Sequence, residues 1–168
     1  MTPDSRNTSI TPSLLDRLTQ APEGGRSFGA ALDHLKQSLR RDLEALLNTR
    51  RRPGPPGDGL PELARSPLRY GIPDFVAVNM APQERQAAFG KALERVIRDF
   101  EPRLANVSVT LMTPARAPAQ APAPAPQRSL SFRIEAVLRI EPAPEPVIFE
   151  SVLDPISRTF SIKGTIDG

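Results

Sequence analysis

At 168 residues the chain is expected to form one domain, and its 20 prolines, more than twice average usage, mark long segments outside regular structure. It has no cysteine and a single histidine, His34, which excludes disulfides, thiolate metal sites, a cysteine nucleophile and any centre needing two imidazoles. The net charge is only +3 although the pI is near 9.9, because a modest excess of arginine is concentrated at Arg40, Arg41 and the run Arg50-Arg51-Arg52.

That arginine run has no aromatic interleaving for base stacking and has Asp42 and Glu44 close by, so no nucleic-acid partner is expected. No apolar run approaches the ~20 residues of a membrane span, and Met1 to Ile10 is polar rather than signal-like. The expectation is a soluble, cytoplasmic protein without direct membrane insertion.

Residues 1–11 lack periodicity and read as a flexible tail. Ser13-Leu14-Leu15-Asp16-Arg17-Leu18 is a short apolar patch of one or two helical turns begun at Pro12. Residues 21–25 read as a loop. From Phe28 to Asn48, Leu32, Leu35, Leu39, Leu43 and Leu46 recur at spacings of three and four, with Leu47 widening the stripe. This predicts an amphipathic helix, ended at Asn48 and Thr49, with His34 exposed off the stripe. Residues 52–60 are a Pro/Gly loop, and the Leu, Tyr, Ile and Phe between Leu63 and Phe75 suggest an irregular segment pinned to the core. Tyr70 is expected to bury its ring and hand its hydroxyl to a backbone partner.

A second helix enters near Pro82, carries Glu84 in its first turn, and puts Phe89, Leu93, Val96, Ile97 and Phe100 on one stripe. The period then changes to two, with Val107, Val109 and Leu111 alternating against Ser108 and Thr110. Residues 113–128 form a Pro/Ala-rich loop. Alternation resumes at Leu130, Phe132, Ile134, Ala136, Leu138 and Ile140. A Pro-rich turn from Glu141 to Pro146 leads to a strand over 147–153, and a last short strand near 159–162 is placed at the edge. The fold class is α+β: two or three helices packed on a small antiparallel sheet, with Pro-rich loops. Residues 12–163 make the single domain and 164–168 a second tail.

Pro102 marks the change of period. It has no N–H to continue a helix and pushes Glu101 out of the helical region. Glu101 and Arg103 are therefore expected to flank a stiff proline in extended backbone, where residues i and i+2 point to the same side. Two readings are open: a solvated pair worth under ~1 kcal/mol, or a buried or interfacial clamp in which Arg103 offers its planar fork to a carboxylate or to carbonyls. A catalytic centre is not expected. Glu101 with Asp99, Glu94 or Glu135 could supply the two carboxylates of a glycosidase, but an arginine two residues away disfavours the protonated acid. Phosphate loops, Ser/His/Asp arrangements and metal spacings are lacking, so no cofactor or metal is expected.

Residues 38–51 (Ser38 through Arg51), the segment Ser66-Pro67-Leu68-Arg69-Tyr70-Gly71-Ile72-Pro73-Asp74-Phe75, and Phe100-Glu101-Pro102-Arg103-Leu104 together resemble the TssE family of type VI secretion baseplate wedge subunits. The apolar patch at 13–18 also fits, and the matches run in order across roughly 12–160. The resemblance implies a relative of phage-tail baseplate wedge proteins, once labelled lysozyme-like but acting structurally. It implies that the subunit joins the wedge proteins TssF, TssG and TssK and offers a sheet edge to the sheath proteins TssB and TssC, in a baseplate docked at the inner membrane. It also implies that Glu101 and Arg103 hold the wedge interface with Pro102 as backbone lock. Arg41, Leu43, Leu47, Asn48, Arg50, Tyr70 and Gly71 carry over as a secondary interface or core motif. The alternative function is a peptidoglycan-cleaving, muramidase-like enzyme.

Overall fold

The computed structural model describes residues 18–19, 28–52, 61–64, 66–74, 82–112, 129–141, 143–154 and 156–164. The leucine periodicity forms helix α1, Phe28–Asn48, which buries Leu35, Leu39, Leu43, Leu46 and Leu47. Helix α2, Gln83–Phe100, buries Phe89, Leu93, Val96 and Ile97. Four strands follow: β1, Leu104–Met112; β2, Leu130–Leu138; β3, Glu145–Leu153; and β4, Phe160–Lys163. They form one antiparallel sheet in the order β1-β2-β3-β4.

The core lies between the helices and one face of the sheet. Phe132, Ile134, Ala136 and Leu138 of β2, Val147 and Phe149 of β3, and Phe160 and Ile162 of β4 all turn to that face. The period of two puts Arg133, Glu135 and Glu150 on the other, where Arg133 pairs in register with Glu150 and Glu150 with Lys163. Phe89 meets Phe132 edge-to-face at 5.4 Å and lies 6.2 Å from Phe160, so one helical ring joins non-adjacent strands. β1 carries a register shift between Ala105 and Ser108, where Asn106 adopts φ 51°. Asparagine tolerates this left-handed conformation better than most residues.

Two sequence expectations are corrected. Glu141–Pro146 is not all turn, because β3 begins at Glu145 and includes Pro146. β4 pairs β3 only over Glu150–Leu153, so Pro146 has no strand on that side and its missing N–H disrupts no ladder there. His34 is partly buried rather than exposed. The tail at 1–11, most of the 13–18 patch, the loops at 21–25 and 53–60, Phe75 and the 113–128 loop lie outside the described residues, as do residues 165–168.

The segment between the helices is pinned by backbone pairing. Ile72 N–H donates to the Thr49 carbonyl at 2.8 Å, and Arg51 N–H donates to the Ile72 carbonyl at 2.8 Å. Gly71 makes this possible: its φ is +99°, and a Cβ there would lie 2.4 Å from the Thr49 carbonyl oxygen. Gly71→Ala is therefore expected to cost about 1–3 kcal/mol. The check is thermal melting beside Gly29→Ala, where a Cβ meets nothing within 4 Å and the melting temperature should hold or rise.

Candidate functional site

α2 runs into β1 through a four-residue corner. Glu101 N–H still donates to the Ile97 carbonyl at 2.8 Å, closing the helix, and Leu104 N–H then donates to the Glu101 carbonyl at 3.1 Å. Residues 101–104 thus make a turn with Pro102 in its second position, where a fixed φ near −65° is favoured. This corrects the extended backbone expected from the sequence. Glu101 and Arg103 come together across a turn and not by strand alternation.

Arg103 Nε donates to Glu101 Oε1 and Nη2 to Oε2, both at 2.6 Å, in a two-pronged fork. The Arg103 backbone N–H adds a longer bond of 3.4 Å to Oε1. Nη2 also donates to Asp42 Oδ2 at 2.6 Å, reaching α1 from 61 residues away. Glu101 retains 6% exposure, so the solvated reading of the pair does not describe this corner. The hydrogen bond to Glu101 raises the pKa of the Arg103 guanidinium; burial opposes this, and the bond to Asp42 reinforces it. The Arg103 carbonyl accepts from Arg139 N–H at 2.9 Å, tying the same residue to the end of β2.

An open groove of about 410 Å³ lies over this corner, floored by Leu46, Tyr70 and Phe100 and rimmed by Asp42, Glu101 and Arg103. Tyr70 meets Phe100 edge-to-face at 5.4 Å. Its phenol pKa is raised by burial first, then by the Asp42 and Glu101 charges, so the ring stays neutral. The backbone partner expected for its hydroxyl is not found among the described residues.

The other motif residues divide. Leu43 and Leu47 are fully buried core, Arg41 is exposed, and Gly71 is the close-approach glycine described above. Arg50 is exposed, 4.0 Å from Asp74. Asn48 does more than end α1. Its Nδ2 donates to the Phe160 carbonyl at 2.9 Å and its Oδ1 accepts from Phe160 N–H at 2.8 Å, as a neighbouring strand would. Arg40 Nη1 adds a bond of 3.2 Å to the Ile162 carbonyl. The outer edge of β4 is therefore closed by α1. Asp42, Arg40 and the edge role of Asn48 escaped the sequence reading; the one signal for Asp42 was a carboxylate bordering the apolar stripe at Leu43 and Leu46.

Among the described residues no group of three or more His, Cys, Asp or Glu side chains could hold a metal ion, and no helix is long and apolar enough to cross a membrane. Two helices on one face of an antiparallel sheet, with the charged corner locked to itself, define a small α+β module. The family model for baseplate wedge protein gp25 matches residues 33–143, more than half of the chain and spanning Asp42, Tyr70, Glu101 and Arg103. The chain belongs to that family: it is a gp25-like baseplate wedge protein of the TssE type. No curated protein and no solved structure matched it in the two other comparisons.

Arg103→Met would leave a nearly dry Glu101 carboxylate without its cation, an expected loss of about 2–4 kcal/mol. Asp42→Asn, at a more exposed side chain, should cost less than about 1 kcal/mol. Adding Glu101→Gln to Arg103→Met should recover much of the loss. Denaturant melts of the three variants test the order, and an Asp42→Asn loss as large as that of Arg103→Met would contradict it.

Proposed function

We propose that this chain is the structural subunit of a type VI secretion baseplate wedge that docks the contractile sheath onto the baseplate, with TssF, TssG and TssK as wedge neighbours and TssB and TssC as the sheath proteins. The observation that carries this reading is the unequal treatment of the two sheet edges. The outward-facing N–H and C=O of Phe160 are taken by Asn48. Following the alternation from Phe160 through the strand registers, the N–H and C=O of Val109 and Leu111 point away from β2. Among the described residues those groups have no hydrogen-bond partner.

A partner strand added there gains backbone hydrogen bonds with little demand on its side chains. The groove over Glu101, Pro102 and Arg103 lies where β1 begins, so a wedge neighbour seated in it would hold the root of the docking strand. The baseplate would work at the cytoplasmic side of the inner membrane.

The muramidase reading finds less support. A general acid needs a carboxyl free to hold and release a proton, but both Glu101 oxygens accept from Arg103. Non-enzymatic action is therefore part of the proposal, and purified protein should release no peptidoglycan fragments, with Glu101→Gln unchanged from that baseline.

Leu111→Pro tests the edge directly, because it removes an N–H that β2 does not use. The expected outcome is a folded protein by circular dichroism that no longer co-purifies with TssB and TssC. Retention of the sheath proteins at the unmodified level would rule out docking through β1.

A further inference from the structure

From the charge balance of the groove we infer the chemistry of its occupant: a partner polypeptide that lays the stem of an arginine side chain over Leu46, Tyr70 and Phe100 and brings its guanidinium to Asp42. The inference rests on the proposed seating of a wedge neighbour in this groove and names what that neighbour presents. Three charged side chains line the groove, two carboxylates and one guanidinium, so one negative charge is in excess. Arg103 meets both oxygens of Glu101, whose side chain is only 7% exposed, and that pair balances itself. Asp42 is the surplus. Its Oδ2 shares the Arg103 guanidinium, but its side chain stays 41% exposed and its Oδ1 has no partner among the described residues.

Negative potential reaches the apolar floor. The Tyr70 phenol pKa is raised by burial first and then by the Asp42 and Glu101 charges. Tyr70 and Phe100 line the groove half-buried, and aromatic faces attract a cation through their own quadrupole. Opposite charges attract more strongly over such a floor than in open water. A long basic side chain covers apolar surface with its methylenes while its charged head stays at the rim. Arginine suits this place better than lysine, since its planar fork pairs with a carboxylate and lies against rings.

The same charges exclude other occupants. An acidic peptide, a phosphate or an anionic bilayer would find Arg103, the one cation lining the groove among the described residues, already held by two carboxylates. A purely aliphatic side chain would cover the floor but take water from Asp42 and return no hydrogen bond. The Nη1 N–H groups of Arg103 also lack a partner among the described residues. They suit a neutral acceptor, such as a backbone carbonyl of the incoming segment.

The test follows the backbone amide signals of the full chain by NMR during titration with N-acetyl-arginine-N-methylamide. Shifts should concentrate at Ala45, Leu46, Tyr70 and Phe100, and the neutral citrulline analogue should bind at least about fivefold more weakly. Asp42→Asn should weaken arginine binding by about threefold or more. Ala45 is an exposed residue of α1 that lines the groove with a bare methyl. Ala45→Lys supplies a competing cation and should weaken binding about tenfold, whereas Ala45→Glu, of similar bulk, should tighten it about twofold or more. Both should match the unmodified chain by circular dichroism. No binding by the unmodified chain, equal binding of citrulline, or loss of binding in both Ala45 variants would overturn the inference. Those results would leave sheath docking standing, since Leu111→Pro tests it at a residue outside the groove. Arginine binding as expected, together with co-purification of TssF, TssG and TssK by Ala45→Lys, would uphold the site and overturn the wedge seating.

Discussion

A carboxylate removed from water must recover its solvation from the protein, and at Glu101 nearly all of that recovery comes from one side chain. Arg103 meets both oxygens and, with the same guanidinium, reaches Asp42 on α1. Its carbonyl meanwhile holds the Arg139 N–H beyond β2. A single residue therefore refers α1, the end of α2, the start of β1 and the end of β2 to one point. Apolar side chains of similar volume could hold such a corner as firmly. What charges add is direction, since a fork accepts a carboxylate in few orientations.

The two edges of the sheet differ in what occupies them: α1 takes the outward groups of β4, and those of Val109 and Leu111 in β1 have no partner among the described residues. A four-stranded antiparallel sheet has two edges, and two open edges would invite the chain to pair with copies of itself. α1 resolves this at β4, where Asn48 satisfies both outward groups of Phe160 and Arg40 takes the Ile162 carbonyl. At β1 the bulge around Asn106 twists the first part of the strand, and α2 comes close at Gly90, where a Cβ would lie 3.6 Å from the Val109 carbonyl. Among the described residues, the stretch around Leu111 is where an added strand would meet the least obstruction.

Local periodicity made the elements legible. The leucines of α1 fixed that helix to within its ends, and the alternation from Leu130 to Leu138 fixed β2, because each pattern records a face turned to the same core. Pro102 marked the corner since it affects only its own backbone and the residue before it. The turn at 101–104 was misread because Pro102 suits both extended chain and the second position of a turn; the Glu101–Leu104 hydrogen bond that decides between them leaves no mark on residue types. Asp42 was out of reach for a related reason: its partner is 61 residues away, and nothing on α1 distinguishes it from a solvated helix carboxylate.

The Gly71 region shows how separate motifs become one physical object. Residues 48–51 and 70–72 are far apart in the chain, yet the Thr49 carbonyl accepts from Ile72 N–H and the Ile72 carbonyl from Arg51 N–H. Only a residue without a Cβ can pass the Thr49 carbonyl at the required φ. Once Gly71 allows that passage, Tyr70 reaches Phe100 and the Arg51 side chain is held beneath Arg69. The arginines that follow α1 are then more than favourable charges at a helix end. Arg51 lies on pinned backbone, with its N–H on the Ile72 carbonyl and its Nε on the Arg69 carbonyl, so its partial burial follows from the fold.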